Sequence, residues 1–84
     1  PVNPLTQKLK IHYNLKTAGS VDIRIYDITG RLVWEKSGIQ GIEGPNYELW
    51  DCRNSGDTFI ARSMYVCVVE ALGMKKKFKF VVKK

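Results

Sequence analysis

Histidine occurs once in this sequence, at His12, and cysteine twice, at Cys52 and Cys67. A metal site needs several His, Cys or carboxylate ligands converging on one point, and a single histidine beside Lys10 does not supply them. Ser55, Ser63, Cys52 and Cys67 could each act as a nucleophile only with a base beside them, and no second histidine exists to serve as one. Two cysteines are too few for a disulfide framework or a zinc cluster. They read either as buried thiols packing like small hydrophobes, or as one bridge formed in an oxidising compartment if their Cα atoms come within about 7 Å. There is no glycine-rich phosphate loop, no paired-carboxylate motif and no Asp-rich calcium loop. The chain is therefore expected to be no enzyme, to hold no metal or cofactor and to take no small-molecule ligand. No apolar run approaches the ~18 residues that cross a bilayer as a helix, so no membrane insertion is expected. The sequence starts at Pro1 without an initiator Met or a signal-peptide pattern, and reads as a piece of a longer or processed protein.

What is present is a dense apolar fraction, 44% of 84 residues with 11% aromatic, enough to build one small core. The net charge of +6 is unevenly placed. Lys75, Lys76, Lys77, Lys79, Lys83 and Lys84 occupy the last ten positions, and the eight basic residues left of the 14 balance the eight acidic ones. A basic character confined to one end argues against a nucleic-acid-binding face.

The apolar residues alternate with period 2, as half-buried strands require. Lys8–Leu15 puts Leu9, Ile11, Tyr13 and Leu15 on one face, and Ser20–Tyr26 does the same with Val21, Ile23 and Ile25. With the Lys16–Gly19 turn between them, the two runs predict a hairpin. After the Asp27–Gly30 turn comes a strand at about Arg31–Lys36, whose face is ambiguous because Leu32, Val33 and Trp34 are all large and apolar. Ser37–Pro45, with three glycines and a proline, reads as a long loop or a short irregular strand. A strand at Asn46–Asp51 leads to the turn cluster Asn54-Ser55-Gly56-Asp57. Met64–Ala71 is apolar on both faces, which suggests a central, well-covered strand. The last strand, about Lys75–Lys83, points Phe78, Phe80 and Val82 inward and Lys75, Lys77, Lys79 and Val81 outward. No segment has a 3.6-residue apolar period. The expected fold is all-β, an Ig-like two-sheet antiparallel sandwich of six or seven short strands.

Ile25-Tyr26-Asp27-Ile28-Thr29-Gly30-Arg31-Leu32-Val33 resembles a sequence element of a large bacterial family. These are the Ig-like C-terminal domains similar to that of the flagellar hook-cap protein, which overlap the type A C-terminal sorting domains of type IX secretion. Asn3-Pro4, Trp50-Asp51, Asn54-Ser55-Gly56, Met64-Tyr65 and the ending Lys79-Phe80-Val81-Val82-Lys83-Lys84 extend the resemblance along nearly the whole chain. Gly30, Trp50, Asp51, Gly56 and Tyr65 then carry the structural motif. Two positions depart from the family: Cys52 and Ser63 stand where glycine is usual. Both are accommodated if the backbone there does not need positive φ. Tyr65-Val66-Cys67 also imitates the tyrosine corner of true immunoglobulin domains, but Cys52 follows Trp50, whereas that pattern needs a cysteine well before the tryptophan. The imitation is a coincidence or a corner without the disulfide.

The resemblance implies a non-catalytic C-terminal domain of a larger secreted protein. It would direct that protein through the periplasm of a Gram-negative bacterium to the cell surface by type IX secretion. Lys79, Phe80, Val81, Val82, Lys83 and Lys84 would be the element that the export apparatus reads, beside the basic edge strand of Lys75 and Lys77. Alternating lysines also solubilise an edge strand whatever else they do. Two other readings stand beside this one. The first is a self-associating structural module of an extracellular filament, with Ile39, Ile42 and Phe59-Ile60 as contact surface. The second is an accessory Ig-like or carbohydrate-binding module, with Trp34, Trp50, Tyr13, Tyr26, Tyr47 and Tyr65 as candidate stacking aromatics. A domain this small is expected to spend those rings on its core.

Overall fold

A computed structural model describes residues 8–56 and 58–83. Asn3-Pro4, Asp57 and Lys84 of the expected motifs lie outside the described residues. Six strands follow one another: β1 (Leu9–Leu15), β2 (Gly19–Asp27), β3 (Leu32–Gly41), β4 (Gly44–Trp50), β5 (Ser63–Ala71) and β6 (Met74–Val82). They form two antiparallel sheets, a two-stranded one of β1 and β4 and a four-stranded one in the order β3-β2-β5-β6. The core between them is made by Ile11, Tyr13 and Leu15 of β1, Val21, Ile23 and Ile25 of β2, Trp50, Tyr65, Cys67, Val69 and Val82. Alternation in β1, β2 and β6 thus marks the inner face as read from the sequence.

The expected hairpin does not form. β1 pairs with β4, Leu9 opposite Trp50 and Leu15 opposite Gly44, while β2 pairs with β3 and β5. Lys16–Ala18 carries the chain from one sheet to the other instead of folding it back, and period 2 is satisfied either way. Of the two readings of Ser37–Pro45, the loop fails and the irregular strand holds, because its residues extend β3 to Gly41 and open β4 at Gly44. Its glycines serve the strand. Gly38, at φ 67, sits in a bulge opposite Asp22, whose carboxylate accepts its N–H at 3.1 Å. Gly41 is buried where a Cβ would run into Leu15. The sheet change from β3 to β4 is clamped by Asn46, which accepts from the Ile42 N–H and donates to the carbonyls of Ile42 and Gly44.

A second bulge explains the three large residues of β3. Ile25 faces Trp34 and Tyr26 faces Leu32, leaving Val33 as the extra residue. Leu32 is exposed, whereas Val33 and Trp34 pack against the core. In β4 the burial of Trp50 fixes the parity, so Tyr47 and Leu49 face solvent and Glu48 points inward to an ion pair with Lys36 of β3 at 2.9 Å. On the opposite flank Lys76 of β6 donates to the His12 carbonyl of β1 at 3.1 Å. One lysine on each side therefore ties the small sheet to the large one. β1 begins beside Trp50, whose ring touches that of Phe80, and β6 ends at Val82, so the chain enters β1 and leaves β6 at the same end of the sandwich.

Candidate recognition surface at the C-terminal strand

β6 is the outer strand of the large sheet and pairs with β5 over all nine residues, from Met74 opposite Ala71 to Val82 opposite Ser63. Lys75, Lys77 and Lys79 project from the outer face, in line with Glu70, Val68 and Val66 of β5. Val81, opposite Met64, is also on that face and partly exposed. On the inner face Val82 is fully buried and Phe78 and Phe80 are half-buried. Phe80 meets Trp50 edge-on at 5.9 Å, stacks on Tyr65 at 5.9 Å and lies 6.3 Å from Phe78. Trp50 in turn contacts Trp34 at 5.6 Å and donates its indole N–H to the Arg53 carbonyl. The expected recognition segment is thus half core. Phe80 and Val82 hold it in place, while Lys79, Val81 and Lys83 are presented to solvent.

Lys76 counts in the sequence only toward the terminal charge. It stands opposite Val69 on the core side of β6, and period 2 counted back from Phe78 would have placed it there. Its ammonium is 5.8 Å from the Phe78 ring.

The other expected motif residues gather where β6 ends. Gly30, at φ 90, closes the β2–β3 turn, in which the Asp27 carboxylate accepts from the N–H groups of Thr29 and Arg31 and from the Thr29 hydroxyl. Those bonds, the hydroxyl's foremost, hold the Asp27 carboxyl below its ordinary pKa. Asn54 locks the β4–β5 connection in the same way, accepting from Gly56 and Thr58. Asp51 accepts from the Arg53 N–H at 3.3 Å and pairs with its guanidinium at 3.6 Å. The Tyr65 hydroxyl donates to the Ala61 carbonyl at 2.7 Å, which makes a tyrosine corner, and burial pushes its pKa up. It is a corner without a disulfide, since Cys52 and Cys67 are both buried and free. Burial raises both thiols, that of Cys67 to about 12. The condition placed on the two departures from glycine fails at Cys52, where φ is 62, and holds at Ser63. Cys52 thus keeps a glycine-type backbone with a side chain packed into the core.

The surfaces expected under the other readings are mostly covered. Ile60 belongs to the core, Ile39 and Phe59 are half-buried, and Ile42 alone of that set is well exposed, at 64%. Of the candidate stacking aromatics, Tyr13, Trp50 and Tyr65 are buried, Trp34 and Tyr26 are half-buried, and Tyr47 is exposed with the Lys10 ammonium 4.7 Å above its ring.

Residues 2–83 match the family described as the secretion system C-terminal sorting domain. The chain belongs to this family. Sorting domains of this kind mark proteins for type IX secretion to the cell surface or the extracellular space, and they are non-catalytic. Two solved structures share the fold of this sorting domain. FlgD from P. aeruginosa has a TM-score of 0.66 at 20% identity, over 87% of this chain and 59% of that one. PorZ, described as an essential bacterial surface component of the type IX secretion system of Porphyromonas gingivalis, has a TM-score of 0.59 at 17% identity, over 96% of this chain and 12% of that one. The sorting domain therefore spans about three-fifths of the first and an eighth of the second. No curated protein matches it. The all-β, Ig-like sandwich and the type IX sorting role expected from the sequence are both borne out.

Proposed function

We propose that the secretion machinery reads this sorting domain at its C-terminal end. Lys79–Lys84 would be the contact element, Lys75 and Lys77 its electrostatic extension, and the domain itself the last part of a larger protein whose upstream portion does the biochemistry. The observation that carries this reading is the placement of β6. It is an outer strand with Lys75, Lys77 and Lys79 turned to solvent, and the chain continues beyond its last anchored residue, Val82, into the exposed Lys83. Exposed charge of one sign steers and aligns a partner, and it adds little to the stability of the domain itself.

The test is a reporter fused ahead of Pro1 in a bacterium that has type IX secretion. Three forms are compared: the intact domain, one lacking Lys83-Lys84, and Lys77→Gln/Lys79→Gln. The intact fusion is expected at the cell surface, and the other two are expected to accumulate in the periplasm while remaining protease-resistant. Export of both variants at the intact level would refute the proposed contact element. Retention of the intact fusion would refute sorting by this chain.

A further inference from the structure

Among the described residues, β3 and β6 form the open edges of the large sheet, and β1 and β4 those of the small one. An open edge offers unpaired N–H and C=O groups to any extended chain, and proteins blunt such edges with bulges, prolines or covering side chains. Three of these edges are blunted. β3 is bulged twice, β4 carries Pro45, and a carbonyl of β1 is capped by Lys76. β6 has none of these devices. Its nine residues run in unbroken register with β5, without proline, glycine or bulge.

Charge is what guards this edge. Lys77 and Lys79 stand opposite valines rather than carboxylates. The acidic groups of that face gather instead on Arg24, Glu35 at 2.7 Å, Glu70 at 3.1 Å and Asp22 at 3.8 Å. On the inner face, Phe78 and Phe80 are left half-buried at the sheet margin.

We infer that β6 accepts, as a further strand beside it, an extended segment of a partner protein in which carboxylates alternate with apolar residues. This rests on the sorting reading above and names the chemistry of the partner at that site. The carboxylates fall beside Lys75, Lys77 and Lys79, and the apolar side chains complete the cover over Phe78 and Phe80. Main-chain bonds supply the affinity and the charge pattern selects the partner. A second copy of the chain is a poor occupant, because antiparallel β6–β6 pairing sets one lysine column against another, and like charges across a strand pair repel.

The probe is a capped synthetic peptide of alternating Val and Glu, nine residues long. Its controls are the Val–Lys counterpart and a Val–Glu peptide with alternate backbone amides methylated. Amide hydrogen exchange of the chain is followed by NMR with each. The Val–Glu peptide is expected to slow exchange of the outward amides of β6 by about tenfold or more at saturation, an effect that weakens as salt is added. Neither control is expected to slow it. Lys77→Glu/Lys79→Glu is expected to shift preference to the Val–Lys peptide by roughly tenfold, with an unchanged melting midpoint. Equal protection by both charge forms, protection centred on β1, β3 or β4, or dimerisation of the chain through β6 would each overturn the inference. The export test is independent of this one. Failed peptide binding with intact export removes this inference alone, whereas failed export of the intact fusion removes the sorting reading.

Discussion

Removing the last six residues and removing the last two are expected to affect the fold very differently. Deleting residues 79–84 takes away Val82, whose full burial is worth about 1.5–3 kcal/mol, and half-buried Phe80, worth about half as much. The ring contacts of Phe80 with Trp50 and Tyr65 add about 0.5–1.5 kcal/mol. Together this is roughly 3–6 kcal/mol. At about 0.05–0.15 kcal/mol per residue, an 84-residue domain has only some 4–13 kcal/mol to lose. With a urea slope of about 1 kcal/mol/M for a chain this small, the midpoint should fall by roughly 3 M or more, or cooperativity should vanish. Deleting Lys83-Lys84 removes no core atom among the described residues and should cost less than about 0.5 kcal/mol. The assay is urea unfolding followed by tryptophan fluorescence. A variant lacking residues 79–84 that unfolds cooperatively within about 1 M of the parent would refute the core role given to Phe80 and Val82. The short deletion is for this reason the informative one in the export test, since loss of export by the long deletion would report unfolding.

At Cys52 the left-handed backbone costs a side-chain-bearing residue about 1–2 kcal/mol. That offsets the lost methyl (about 0.8) and the extra chain entropy of glycine (about 0.5–1). Cys52→Gly and Cys52→Ala should therefore unfold within about 0.5 kcal/mol of each other, and a glycine variant more than about 1 kcal/mol weaker would contradict the assignment. Gly41→Ala drives its Cβ into Leu15 and within 3.2 Å of Val21, so it should lose about 1–3 kcal/mol in the same assay, and parental stability would count against the close approach. The folded-state pKa of Asp27 lies below its unfolded value, so its contribution is complete above the unfolded carboxylate pKa and is lost as pH falls through the folded one. Asp27→Asn should lower stability near neutrality and flatten the acid limb of a pH series, and an unaltered acid limb would show that the turn bonds do not hold that charge. Both thiols are buried, with that of Cys67 pushed up to about 12, so a thiol reagent at pH 8 should label them only as fast as the chain opens. Labelling at the rate of a free thiol, without denaturant, would mean that the core is open.

The sequence made faces legible and partners illegible. Alternation in Lys8–Leu15, Ser20–Tyr26 and Lys75–Val82 identifies the buried side of each strand, because a one-residue slip would turn Ile11, Ile23 or Val82 to water. Which strand each one pairs with depends on sheet changes at residues 16–18, at 42–43 and between β4 and β5, and those leave no mark in period 2. Ser37–Pro45 stays open between loop and irregular strand because glycine signals both a loop and a bulge, and only the register against β2 tells them apart. In β4 the sequence leaves the face open. Tyr47 and Leu49 are the more numerous apolar pair, but one indole, Trp50, outweighs them and turns them outward. The crowding of lysines at the C-terminal end is plain in the sequence, whereas the anchoring of Phe80 by Trp50 and Tyr65 joins residues 30 and 15 positions apart and is not.

Entry into β1 and exit from β6 at one end of the sandwich set how the domain responds to being pulled. A protein joined ahead of β1 and a receptor holding the chain beyond Val82 would draw on neighbouring corners of the molecule, not on its opposite poles. Tension between them then loads the β5–β6 ladder from its Val82–Ser63 end, where the main-chain bonds run across the strands and can yield one pair at a time. The fold would open like a zip rather than resist like a lap joint. The final strand can in this way be peeled away pair by pair, with no need to shear the whole β5–β6 ladder at once.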